Sequence, residues 1–411
     1  MRSVAEINRK IAEQTAVVLT AGELKKRIRA GENVTAEDVD VVTCGTFGVM
    51  SGTAAVLAFQ AAPAGSFLQV ESLALNGVPA FVGPCPNESN GHVDCIVYGT
   101  SRSVDNPFYG GGHLFADLVR GEAVTANITT DSGRFSVMVS LANMSSAKIL
   151  VTRGAFRNYM AFMNPRCDPV STIFSVLPLQ GRLSQVTVSG CGEINPLEND
   201  PTLRFHMPGT PALVNGAGGF ILGTGTRSST EKPNLSLAAD MRGMHADLMG
   251  GFVTSVGAEC LTSVATAIPV VDDEAFAALS VLDEDVSLPI ADVTNRTRCC
   301  EATYSDVWSG DLRVHVDSSR CHHTCAVCAE TVCPVHAIRP DLSIGKACMG
   351  CLTCVSACPD GVYSAETGVL HASNGWVLPI VLRQSDRVRG EIAAARLREK
   401  IRSGDWRFGE I

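Results

Sequence analysis

Eight cysteines fall between Cys321 and Cys358, and their spacing is that of ligands. The first run reads C-x3-C-x2-C-x4-C-P from Cys321 to Pro334, and the second reads C-x2-C-x2-C-x3-C-P from Cys348 to Pro359. In the second pattern three close thiolates suit one [4Fe–4S] cluster, and the fourth cysteine reaches a neighbouring cluster. Crossed ligation then assigns Cys321, Cys325, Cys328 and Cys358 to one cluster, and Cys348, Cys351, Cys354 and Cys333 to the other. Pro334 and Pro359 turn the chain away after each remote ligand. Zinc needs no C-x2-C-x2-C run, and a dense disulfide network does not suit a chain without a secretory signal. The first run carries one residue beyond the common spacing in each of two gaps, with His322 and His323 inside the longer loop.

Outside these runs the best nucleophile is Cys44, which the sequence places at the end of an apolar strand, VDVVTCGTFG, running into a glycine-rich loop. A cysteine reacts as its thiolate, and exposed backbone N–H groups in such a loop would favour that form. The competing reading is a small buried hydrophobe, which cysteine commonly is. Cys85, Cys95 and Cys191 also lie in turn-rich sequence. With Cys44 they could form a third metal site, although their spacing matches no metal signature. Cys167 and Cys260 read as core fillers, and the adjacent Cys299 and Cys300 as structural. His113, in YGGGHLFADLVRG, is the acid or base candidate. Arg153 and Arg157, in VTRGAFRNYM, could clamp a carboxylate or sulfonate, or simply face solvent. Gly218 and Gly219 lie in NGAGGFILGTGT, which departs from a dinucleotide fingerprint and reads as a loop for close packing or for an anionic substrate.

These side chains need a large scaffold. The 411 residues are 45% hydrophobic and 18% charged, with sixteen cysteines and a formal net charge of −9. That composition predicts a substantial core in two or three domains and argues against nucleic acid or an anionic membrane as partner. No apolar stretch is long enough to span a membrane. The cysteine content suits a reducing, cytoplasmic setting. The opening predicts helices over 3–13 and from Thr20, where Thr20 and Glu23 have capping-box spacing. From there to about Ala291, short β-rich segments alternate with turns, with helical patches near 114–120 and 153–163. The expected class is α+β (mixed α/β). Residues 1–312 form a large β-rich domain, 313–374 a bacterial-type two-cluster ferredoxin domain, and 375–411 a helical tail. The tail helix spans 385–403, with Val388, Ile392 and Ala395 on one side, Leu397 and Ile401 on the other, and its arginines read as a solvated face.

Several of these segments together resemble the archaeal homocysteine-biosynthesis (sulfur-incorporation) family. They are DVVTCGTFGVMSG, YGGGHLFADLVRG, GEINPLENDP, NGAGGFILGTGT and AIPVVDDE, within residues 4–315. With the cysteine runs behind them, the chain is most similar to the methanogenesis marker 16 type. The resemblance implies conversion of a small aldehyde, sulfide, two electrons and two protons into a thiol and water, with the two clusters as the electron source. The expected partners are that aldehyde, a sulfur donor and an external electron donor, with a homo-oligomer left open. Members that form homocysteine from aspartate semialdehyde carry cysteines where this chain has Ser51 and Ser132. The resemblance therefore makes Cys44 the replacement thiol, with Cys191 or Cys85 as a second, and leaves the substrate open between aspartate semialdehyde and sulfoacetaldehyde, the latter giving coenzyme M. The alternative is an iron–sulfur electron-transfer or sulfur-delivery protein for methanogenic cofactor maturation.

Overall fold

The computed structural model describes residues 2–409 apart from 84–88, 311, 323, 324 and 326. Cys85 and His323 lie outside the described residues. The chain is a strand-rich α+β protein with 22 strands and eight α-helices among the described residues. Most strands join one 14-stranded sheet, ordered from Val18–Thr20 through Val41–Val49 and Gly257–Pro269 to Gly133–Val139 at its far edge. A second, six-stranded sheet runs Arg298–Thr303, Ser287–Asp292, Ala161–Met163, Val186–Val188, Val377–Arg383 and Val369–His371. No helix among the described residues is long and apolar enough to cross a membrane.

The N-terminal helices form as their sequence signals require. Ser3 caps Val4–Ala12, and Ile7 and Ile11 are its buried face. Thr20 and Glu23 make both bonds of a capping box on Ala21–Arg29, at 3.1 and 2.9 Å. Helix Gly111–Arg120 stops on Gly121, whose φ of 86° is the left-handed cap that glycine accepts most readily. The helical patch expected over 153–163 is absent. Met144–Gly154 is a strand, and Ala155 and Asn158 then take positive φ of 46° and 44°, which breaks any helix before Ala161–Met163 pairs into the second sheet.

Strand Val41–Val49 runs straight through the predicted loop. It pairs with Val18–Thr20 on one side and with Leu261–Pro269 on the other. Its glycines permit packing rather than bending. A Cβ at Gly45 would collide with the Gly390 carbonyl of the C-terminal helix, and one at Gly48 would sit 2.8 Å from Ser385 Oγ. The helix Arg387–Arg402 can lie against this strand because it presents Gly390, Ala393 and Ala394 there, with Leu397 and Ile401 also buried. Val388 and Ile392 stay exposed, so the buried stripe is the Leu397 side. Its arginines are mostly engaged. Arg387 pairs with Glu193 at 2.8 Å and with Asp283, Arg389 with Asp386, and Arg398 with Glu23.

The segment from 375 is therefore part of the main body. Val377–Arg383 pairs with Val186–Val188 in the second sheet. The Phe408 amide donates to Asn8 Oδ1 at 2.9 Å. The cysteine-rich stretch emerges and returns between these structural parts, closed at its base by His315–Val316 pairing with Tyr363–Ser364.

Candidate functional site

A turn at residues 50–53 links Val41–Val49 to Thr53–Gln60 and places Ser51 beside Arg153. Gly52 makes this possible. A Cβ there would meet both the Arg153 backbone nitrogen and its Cβ at 2.8 Å, so only glycine allows the Met144–Gly154 strand so close. Ser51 and Arg153 line a cavity of about 100 Å³ with Phe156, Tyr159, Phe174 and Gln384. A single water needs roughly 10–15 Å³ of such space, so the cavity can take a small organic molecule. No carboxylate among the described residues lines it.

Two polar groups, Arg153 in the lining and Glu259 beside Ser51 but outside it, have buried atoms without partners. Arg153 Nε is buried with no hydrogen-bond acceptor, and the guanidinium stacks 5.1 Å over the Phe156 ring. Glu259, 4% exposed, is hydrogen bonded by Ser51, while its Oε2 is buried and unpartnered. Burial pushes the Glu259 carboxyl up to about 7. A carboxyl held there can give or take a proton near neutral pH, relayed through the Ser51 hydroxyl. Strand spacing gives no hint of Glu259, because Gly257–Pro269 is buried almost throughout and shows no alternation.

The expected site residues are not gathered in one place. Cys44 lies mid-strand at 0% exposure, in the core formed by the N- and C-terminal helices, not in a loop. Burial pushes its thiol up to about 12 against the attraction of Lys25. Lys25 is itself enclosed, bonded to Asn199 at 2.9 Å and to the Leu279 carbonyl, and burial lowers it to about 8. A thiol so placed is a poor nucleophile, and sulfur could reach it only if the core opened. Cys191 is also sealed, with Thr46 Oγ1 at 3.5 Å, and burial raises it to about 11. Cys95 and Cys260 are buried in the main sheet's core, so Cys44, Cys95 and Cys191 do not share one cluster.

His113 lines a different cavity, of about 440 Å³, between helix Gly111–Arg120 and the cysteine-rich stretch. Its Nδ1 accepts from the Gly110 amide at 3.2 Å, which leaves the proton on Nε2. The ring stacks on His336 at 5.0 Å, and burial followed by His336 and Arg120 lowers it to about 3. It is held neutral, its buried Nε2 has no partner, and it is not among the residues lining the Ser51 cavity. Arg157 is taken by Glu198 at 3.2 Å. Gly218 and Gly219 belong to a hairpin strand whose turn, Asn215–Gly216, has φ of 51° and 84°. Gly219 allows close packing on the Ala238 carbonyl, and neither glycine lines the cavity.

The thiols of the two cysteine runs influence one another electrostatically. The thiol of Cys354 is raised by burial and then by Cys351, Cys348 and Cys333. That of Cys325 is raised by burial, by Asp360 and by Cys358, Cys321 and Cys328. Cys333 thus acts on a thiol of the second run, and Cys358 on one of the first. All described cysteines are free thiols. Among the described residues no group of three or more His, Cys, Asp or Glu side chains is arranged around a single ion. The donor chemistry nevertheless fits a sulfur-rich group. The Ala337 amide donates to Cys333 Sγ at 3.2 Å and the Gly350 amide to Cys348 Sγ at 3.5 Å, the N–H···S contacts that steady bound thiolates. Cys333, Cys351 and Cys354 are buried, whereas Cys328 is exposed. The buried set faces the main body, where Met349 and Cys351 pack with Phe47, Phe252, Leu261 and Leu382. The Cys351 carbonyl accepts from the Arg383 amide at 3.1 Å, and the next residue, Gln384, is a wall of the Ser51 cavity.

A strand-rich body with a small cavity, and a cysteine-rich stretch tied to its wall, define the class. The chain belongs to the family described as homocysteine biosynthesis enzyme, sulfur-incorporation, which it matches over residues 16–408. It is 44% identical to an uncharacterized protein of Methanothermobacter thermautotrophicus over 411 residues, covering 99% of this chain and 95% of the relative. It is 28% identical over 339 residues to the L-aspartate semialdehyde sulfurtransferase of Methanocaldococcus jannaschii, covering 77% of this chain and 64% of that protein. The L-aspartate semialdehyde sulfurtransferase of Methanosarcina acetivorans is 29% identical over 330 residues, with 76% and 64% covered. No solved structure gives a significant match. The family match takes in the C-terminal strand and helix, in keeping with their place in the main body.

Proposed function

We propose that this protein is an enzyme that reductively incorporates sulfur into a small anionic aldehyde, with the Ser51 cavity as its active site. Membership of the sulfur-incorporation family supports the reaction class. The observation that carries the reading is one small cavity lined by Arg153, whose Nε is unpartnered, and by Ser51, which is backed by Glu259, with a wall one residue from the Cys351 tie. In the balanced reaction one aldehyde, one hydrogen sulfide, two electrons and two protons give one thiol and one water. The carbon–oxygen bond of the aldehyde breaks, a carbon–sulfur bond forms, and oxygen leaves as water.

Arg153 holds the anionic end of the substrate and fixes the carbonyl toward Ser51. Glu259, protonated about half the time at pH 7, gives its proton through Ser51 to the departing oxygen and recovers it from solvent. The aromatic walls Phe156, Tyr159 and Phe174 limit water at the thioaldehyde stage. Two [4Fe–4S] clusters held by the two cysteine sets would supply the electrons one at a time. The set containing the exposed Cys328 would hold the cluster that takes electrons from an external donor, and the more buried set the one that passes them to the cavity. No cysteine among the described residues lines the cavity and Cys44 is sealed in the core, which favours sulfur entering from a donor molecule over transfer from Cys44.

The test uses anaerobically reconstituted protein with sulfide, a low-potential reductant and either aspartate semialdehyde or sulfoacetaldehyde. The expected outcome is homocysteine or coenzyme M, detected as the derivatised thiol. Intact clusters with no thiol from either aldehyde would reject the enzyme and leave the electron-transfer or sulfur-delivery role.

A further inference from the structure

Strands of an antiparallel sheet alternate apolar and polar residues when one face meets the core and the other meets water. The middle of the main sheet breaks that rule. Its inner face packs Leu57, Phe59, Val97, Ile149 and Val151 into the core. Its outer face carries an apolar row across six strands, fixed by the register. Pro211 lies opposite Phe220, Phe220 opposite Ala238, Ala238 opposite Leu150, Leu150 opposite Ala54, and Ala54 opposite Tyr98. A second row runs Asp240, Lys148, Val56, Ile96 and Phe81. Phe220 is 59% exposed, Phe81 61% and Tyr98 48%, and Val56 and Leu222 are exposed with them. Phe81 and Tyr98 touch, with ring centroids 5.3 Å apart, so the two rows join into one patch.

The patch is electrically quiet. Lys148 pairs with Asp240 at 2.5 Å, and Arg242 reaches the same carboxylate at 3.5 Å. With Asp94, opposite Ala58 beyond the second row, the charges at its margin balance. Such a face neither repels its own copy nor selects a partner of opposite charge. It is also large. From Pro211–Val214 to Val78–Val82 the strands lie ~4.8 Å apart, and two or three outward residues on each make a face of roughly 29 by 17 Å. Two such faces pressed together remove on the order of 1,000–1,400 Å² from water, near the lower end of what a stable dimer buries. A monomer rarely leaves so much contiguous apolar surface in solvent.

We infer that this sheet face is the interface of a homodimer, in which two copies pack sheet on sheet about a two-fold axis. Each apolar row then lies against the same rows of the second copy, as the two inner faces of a β-sandwich do. The aromatic side chains Phe220, Tyr98 and Phe81 are its anchors.

The full-length, anaerobically reconstituted protein is sized by sedimentation at micromolar concentration, with reductant present to exclude disulfide-linked species. A dimer is expected. Phe220→Glu and Tyr98→Glu each put a charge in the apolar row and should raise the dimer dissociation constant by about tenfold or more. Both side chains are exposed in the single chain, so circular dichroism and cluster absorbance should not change. Phe220→Ser, which adds no charge, should weaken the dimer several-fold even if the glutamates disturb folding. Val104→Glu, at a 77% exposed apolar residue outside the sheet, is the control and should leave the dimer intact. A monomeric parent protein, whether alone or bound to neutral lipid vesicles, would overturn the inference. So would a dimer that the Phe220 and Tyr98 variants leave unweakened.

Discussion

Glu259 and Ser51 couple stability to activity at the residue scale. The carboxyl has a folded-state value of about 7 against an ordinary value of 4.5, so the unfolded chain loses this proton first. Stability is then lost as pH rises from about 4.5 to 7, by ~1–3 kcal/mol, and is flat above. Glu259→Gln should remove that slope, stabilise the protein near pH 8 in thermal melts, and lower kcat by roughly 10²–10⁴ through loss of the proton donor. A stable variant with undiminished turnover would refute the role. Cys44→Ala makes the complementary case. It should lower stability by about 1–2 kcal/mol and leave turnover of the folded fraction near normal, because the thiol is sealed in the core. Of the residues named from sequence, Arg153 reaches the cavity, and Ser51 was visible as a departure from the family pattern. Glu259 was not legible. It and Ser51 lie on separate segments, and only tertiary contacts set their surroundings.

Glycine carries the lesson at the scale of elements. In sequence, Gly45 and Gly48 look like a loop after a strand, and the glycine-rich run around Gly218 looks like an anion cradle. The fold uses them oppositely, as places where backbone must lie against backbone. Nothing local separates these uses, because the Gly390 helix that needs Gly45 is hundreds of residues away. Gly45→Ala should therefore destabilise the protein by about 1–3 kcal/mol through displacement of the C-terminal helix, measured by denaturant unfolding. Gly218→Ala, with nothing within 4 Å of the added Cβ, should stay within about 0.5 kcal/mol of the parent. Equal losses at both positions would contradict this account. The caps of the first two helices and the hairpin turn at Asn215–Gly216 need only neighbours in sequence, and of these the caps were legible from the start.

At the scale of the whole molecule, the cysteine spacing proposes two crossed sets of ligands, and Cys333 and Cys358 each act on a thiol of the other run. Cys333→Ala and Cys354→Ala should each lower the iron content by about half and remove the same cluster signal in electron paramagnetic resonance. Cys325→Ala and Cys358→Ala should remove the other signal. Pairing by adjacency in sequence would instead group Cys333 with Cys325. The expected boundary at 374 misjudged the return of the chain, since a helix with a split apolar pattern gives no sign that small residues will bury it. A chain truncated after residue 374 should fail to fold cooperatively, lacking both a strand of the second sheet and the helix against Val41–Val49. This closure also sets an order of assembly during synthesis. The cysteines leave the ribosome before the strand and helix that seal the body around the cavity. The thiols are thus reachable while the body around the cavity is still open, and the strand Val377–Arg383 and helix Arg387–Arg402 close it afterwards.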